Sequence, residues 1–120
     1  MERHAIMFRI RPGTQDKVKE LLAGYAPPEW TAPDGTRLVS TSVFVKDDLV
    51  VRMIEIDGNL PGLMAHLSSQ PTIQRVEREI AQYLADERDT STPEGTRDFF
   101  ISSLMQHVTT RRSDPAETPA

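Results

Sequence analysis

Three polar residues stand where the surrounding apolar pattern has no use for them. Arg52 lies between Val50 and Ile54 on one face of a strand-like run. Glu77 comes four residues after Ile73 and three before Ile80, inside a helical apolar stripe, and His66 lies one position off the Leu63/Leu67 stripe. Imidazole titrates near neutral pH, which makes His66 the best general base by residue type. A guanidinium buried unpaired is costly, so Arg52 needs an anion or a water-filled cavity, where it could donate to an enolate or carbonyl oxygen. Glu77, a carboxylate among apolar neighbours, is a second candidate base. Each also has a plainer reading. His66 could be a helix-edge histidine bonded to the sheet, and Arg52 could simply pair with Glu77 or with Glu55 near the strand end.

Aromatic and thioether side chains near these residues are the candidate walls for a flat ligand. They are Tyr25, Trp30 (the only tryptophan, in a proline-rich loop) and Met53. Other chemistries are disfavoured. His4 and His107 have no paired metal-ligand spacing with His66, so no metal is expected. No serine sits in a nucleophile-elbow context and there is no glycine-rich phosphate loop, so no cofactor is expected. The absence of cysteine excludes disulfides and thiolate ligands. A net charge of -4 and a pI near 5.3, with only Arg3-His4 and Arg111-Arg112 as short basic clusters, argue against nucleic acid. No apolar run approaches the roughly 20 residues of a membrane span, and the N-terminus lacks a signal-peptide pattern. A cytoplasmic protein is the expectation.

The elements that would position these groups are read from periodicity. Residues 4–11 alternate as a strand, with Ile6, Phe8 and Ile10 on one side, and Pro12-Gly13 ends it. Thr14 is expected to cap a helix carrying Val18, Leu21, Leu22 and Tyr25. After the loop at 26–36, residues 37–46 and 49–56 predict a hairpin with a tight turn at Asp47-Asp48. Leu38 and Phe44 are placed on one face and Val39, Val43 and Val45 on the other. Both hairpin faces are thus apolar, more than one helical layer can cover, so a second subunit is expected on the other side. Asn59 should cap the next helix, and Pro71 should break it and start another. A turn-rich link over 87–93, a third helix begun at Thr92-Pro93, a last strand over 105–111 and a disordered tail over 113–120 complete the reading. The order predicts one α+β, ferredoxin-like βαββαβ domain over 1–112, forming a dimeric α+β barrel.

Several separated blocks agree in order with one family. HAIMFRIRPGT, LVSTSVFVKDDLVVRMIEIDG, HLSSQPTIQRVEREIAQYL, Arg88-Asp89 and the Phe99-Phe100 region resemble the SchA/CurD-like proteins of aromatic polyketide and spore-pigment gene clusters. The run from HLSSQP to QYL is also similar to tetracenomycin-type aromatic polyketide cyclases. The resemblance implies a role in aromatic polyketide (antibiotic or spore pigment) biosynthesis, with a poly-β-ketone intermediate as ligand, a homodimer, and the polyketide synthase or its acyl carrier protein as partners. It supplies no catalytic motif to carry over. Ring closure needs a base, a donor for the enolate and an apolar cavity that fixes one conformation. On that basis His66, Arg52 and Glu77 are the candidate catalytic residues, and Trp30, Met53 and Tyr25 the candidate substrate contacts. Two other readings stay open: a cofactor-independent monooxygenase acting on an anthrone-type intermediate, and a non-catalytic protein that binds the product or stabilises the synthase complex.

Overall fold

Strand β3 (Leu49–Asp57) is the centre of a three-stranded antiparallel sheet, flanked by β1 (Glu2–Arg9) and β2 (Arg37–Lys46). The computed structural model describes residues 1–86 and 92–113. The link at Glu87, with Arg88-Asp89, and the tail beyond residue 113 lie outside the described residues. Helices α1 (Gln15–Gly24), α2 (Leu60–Ser69), α3 (Pro71–Ile80) and α4 (Pro93–Ser103) follow the strands in the order strand, helix, strand, strand, helices.

Strand alternation assigns the faces. Val50, Arg52, Ile54 and Ile56 share one face of β3, and His4, Ile6 and Phe8 of β1 lie opposite them in register. This face carries the helices. Leu49, Val51, Met53 and Glu55 point the other way, with Ala5, Met7 and Phe44 beside them. The second strand departs from simple alternation. A bulge between Leu38 and Ser40 inserts one unpaired residue, Val39, so Leu38 joins Thr41, Val43 and Val45 on the helix side. Leu38 is buried whereas Phe44 is 60% exposed, so they occupy opposite faces and not the common face expected from the sequence.

Local chemistry sets the helix ends. The Asn59 side chain accepts from the Gly62 N–H at 2.6 Å, and Pro71 occupies the first turn of α3, as expected. Thr92 likewise accepts from the Gly95 N–H at 3.0 Å to start α4. Thr14 behaves differently: its hydroxyl donates back to the Arg11 carbonyl at 2.6 Å and caps nothing. A T-shaped contact between Phe8 and Phe99, 6.1 Å between centroids, seats α4 on β1.

The expected last strand begins without continuing. Leu104 bridges Ile6 and the Met105 N–H donates to the Ala5 carbonyl at 2.7 Å, but residues 105–111 form no ladder among the described residues, and Val108 is 85% exposed. Met105 and Val108 are the large apolar groups of that segment and lie three apart, so a ladder there would bury no continuous face.

Gly58 turns the chain from β3 into α2 at φ +129°, where a β-carbon would lie 2.9 Å from the Thr36 Cα. Gly58→Ala is expected to destabilise the fold by about 1–3 kcal/mol from backbone strain alone, with the contact adding to it. A urea midpoint equal to that of the wild type would contradict this.

Candidate active site

The core of the helix-side face is divided in two. One cluster gathers Ile10, Val18, Val50, Ile80 and Leu84, and the other Leu38, Ile54, Ile56 and Leu63. Val50 belongs to the first and Ile54 to the second, so Arg52 occupies the β3 position where a continuous core would close. A cavity of about 100 Å³ opens there, walled by Ile6, Ile54, Leu67, Ile73 and Phe99 among others. Arg52 and Glu77 both line it, brought together from β3 and α3.

Arg52 makes no hydrogen bond or ion pair with the described residues; its guanidinium carbon stands 5.7 Å from the centroid of the Tyr25 ring. A cation over an aromatic face gains modest stabilisation and keeps its donors available. Neither ion pair weighed from the sequence forms. No pair joins Arg52 to Glu77, and Glu55 lies on the opposite face, where it binds Arg3 at 3.2 Å and accepts from Ser40 at 2.9 Å. Glu77 itself is engaged in an interaction besides lining the cavity.

The other candidates sit elsewhere. His66 is only 6% exposed and outside the cavity lining. Its Nε2 lies 2.8 Å from the Glu29 carbonyl. A carbonyl oxygen only accepts, so that nitrogen carries the proton and donates it. His66 therefore holds the 26–36 loop, together with Thr72, whose hydroxyl donates to the Ala26 carbonyl at 2.7 Å. That docking presses buried Pro28 into the cavity wall. Trp30 is 43% exposed and outside the lining, while its backbone carbonyl accepts from the Leu38 N–H at 2.8 Å. Met53 faces away from the cavity, across the sheet. Thr41 and Ser68 line the cavity without having been singled out from the sequence, and Met64 and Phe100 line it as well. Thr41 pairs with Ile54 in regular register with Val43 and Val45, so its face follows from alternation, whereas Leu38 reaches the same face through the bulge.

A polar node ties the same loop to α2. The Asp34 carboxylate accepts from the Thr36 N–H at 2.9 Å and from Asn59 Nδ2 at 2.7 Å, and these bonds hold its pKa below the ordinary 3.8. A depressed folded-state value stabilises the fold above the unfolded-state value, and that contribution is lost as pH falls through the lowered one. Acidification below about 3.8 should therefore loosen the loop, read as a change in Trp30 fluorescence. Asp34→Asn should remove this acid-dependent step; an unchanged titration would show that another group controls it.

Among the described residues, a three-stranded antiparallel sheet with helices on one face and a small cavity between the layers defines an α+β protein of the ferredoxin-like type. Within that class, the chain belongs to the SchA/CurD like domain family, whose model matches residues 1–113. It is 39% identical over 117 residues, 95% of its length, to "Polyketide synthase CurD" of Streptomyces cyaneus. Similarity to the "42.8 kDa protein in whiE locus" of Streptomyces coelicolor is 36% over 106 residues, or 88% of the chain. "Protein SchA" of Streptomyces halstedii matches 97% of the chain at 33% identity. The chain spans 32%, 27% and 31% of those three proteins, respectively, about a third of their length. Tetracenomycin F2 cyclase from Streptomyces glaucescens, described as a type-II polyketide cyclase, superposes with a TM-score of 0.61. That match covers 95% of this chain and 100% of the other at 19% identity, a likeness of fold.

Proposed function

We propose that the chain acts in aromatic polyketide biosynthesis, as a cyclase-like domain that folds a poly-β-ketone and closes a ring. The observation that carries this reading is Arg52: a guanidinium without a carboxylate partner among the described residues, on the wall of an apolar cavity that also contains Glu77. The names of the relatives and the fold of a polyketide cyclase support the substrate class.

In this reading the apolar walls hold one conformer of the ketone chain. Glu77 takes a proton from a carbon between two carbonyls, and Arg52 donates to the enolate oxygen that forms. The enolate carbon attacks a second carbonyl of the same chain, making a carbon–carbon bond. Protonation of the new alkoxide and loss of water give the aromatic ring, with no oxidant consumed. His66 holds the Pro28 wall in place and takes no proton from the ligand. The open sheet face, with Met7 37% and Phe44 60% exposed, is covered by a second copy in a homodimer. The polyketide synthase or its acyl carrier protein delivers the chain.

The test is the product profile of the matching minimal polyketide synthase with and without this protein, by liquid chromatography and mass spectrometry. A new product of equal oxidation level, or differing by water, is expected. A product that has gained oxygen would replace the cyclase reading by the monooxygenase one, and a change in yield alone would favour a binding role.

A further inference from the structure

The 100 Å³ chamber at Arg52 is smaller than a cavity of about 150 Å³ known to hold a single benzene, so it cannot enclose a multi-ring ligand. A second hollow of about 680 Å³ lies between α2 and α4, within the size range of ordinary ligand pockets. The two share three wall residues, Met64, Ser68 and Phe100. Met64 and Phe100 form the divider, one flexible thioether and one ring, so a small displacement joins the spaces. The outer hollow has an apolar floor that includes Leu60, Pro61 and Ile101, with Gln74, Glu94 and Arg97 also lining it, and Ile101 is 62% exposed on α4. Its serine hydroxyls are turned back onto their own helix: Ser68 donates to the Ala65 carbonyl at 3.0 Å and Ser69 to the His66 carbonyl at 2.7 Å. They do not wet the floor. The groove between α1 and α3 is a poorer extension. It shares only Tyr25 with the chamber, and four charged residues line it, Lys17, Glu20, Arg75 and Glu79, against two, Glu94 and Arg97, in the α2–α4 hollow.

We propose that the α2–α4 groove is the outer half of one binding site. It holds the distal rings or chain of a planar, largely apolar polyketone or polyphenol whose reacting end rests on Arg52, and Met64 and Phe100 mark the boundary between the halves. This rests on the cyclase reading in that the inner ligand is an enolisable ketone.

Two probes and two variants test it, on the full chain. Pentane-2,4-dione, a single 1,3-diketone unit, probes the reacting end at Arg52, and emodin, a flat three-ring polyphenol, needs both halves. Ala65 is an exposed α2 residue on the groove and outside the chamber, so Ala65→Trp fills the groove alone. Calorimetric affinity for emodin should fall at least tenfold, while binding of pentane-2,4-dione stays within twofold. Ile101→Asp, on the opposite wall, should do the same by a polar route. Unchanged emodin affinity in both folded variants, with the small probe still bound, would overturn the outer subsite and leave the inner one standing. Failure of the wild type to bind either probe would overturn the cyclase reading and the subsite together.

Discussion

Arg52→Met is expected to lower ring closure by about 10²–10³-fold, the usual cost of removing a donor from a developing oxyanion. It should do so without harming the fold. The guanidinium interrupts two apolar clusters that meet at Val50 and Ile54, and its recorded partner is a tyrosine face. A methionine of similar length would bridge the clusters and remove the cost of holding a charge away from water. Replacing buried ionic groups by apolar ones is often neutral or stabilising by about 1–4 kcal/mol. The expected pair of results is a raised or equal urea midpoint with ring closure lost. A large fall in stability would mean that Arg52 is structural, and full retention of ring closure would remove it from the mechanism.

If two copies pair through the open sheet face as proposed, Val51→Glu should weaken self-association by more than about 100-fold, since burying an unpaired charge is among the most disruptive interface changes. Val51 is the β3 residue whose register partners are Met7 and Phe44, the two most exposed apolar groups among the strand residues of the open face. A two-fold interface sets each residue against the same patch of the second copy, so one substitution introduces two carboxylates. In a single subunit the new side chain would sit in solvent, and circular dichroism should remain unchanged. Sedimentation equilibrium should give half the wild-type mass. An unchanged mass would place the interface elsewhere, for example along β1, where residues 104–105 begin a pairing that does not continue among the described residues.

Most of the scaffold was legible because local rules and tertiary packing agree. Asn59 and Pro71 fix the ends of α2 and α3 by chemistry that needs no distant partner, and the sheet faces follow from alternation. The bulge at Val39 was not legible, since the apolar run through 37–46 fits either register, and it decides that Leu38 joins Val43 and Val45 on the helix side. A fourth strand over 105–111 does not form among the described residues, because Met105 and Val108 offer no continuous face to bury.

At the site, Arg52 and Glu77 were recognisable as polar residues in apolar stripes, and Tyr25 as a neighbouring aromatic; the cavity brings these three together. Met53 could have been set aside from the sequence, because adjacent strand residues point to opposite faces and Arg52 had already claimed the helix side. Glu55 fails as a partner for Arg52 for the same reason. His66 is a different case. It lies on α2 as its spacing implies, but its partner is the Glu29 carbonyl, 37 residues earlier, and no periodicity announces a loop that folds back so far. Trp30 lies in the same loop, whose backbone does the docking while the indole stays half in solvent.

The most direct measurement is the ionisation of a small 1,3-diketone on the protein. Pentane-2,4-dione changes its ultraviolet absorption when it becomes the enolate, so its titration can be followed free, with the wild type and with Arg52→Met. If the cavity stabilises an enolate, the bound diketone should ionise at lower pH than the free one, and Arg52→Met should abolish the displacement. A diketone that binds but ionises at the same or a higher pH than in water would contradict the account, because the cavity would then favour the ketone over the anion that ring closure requires.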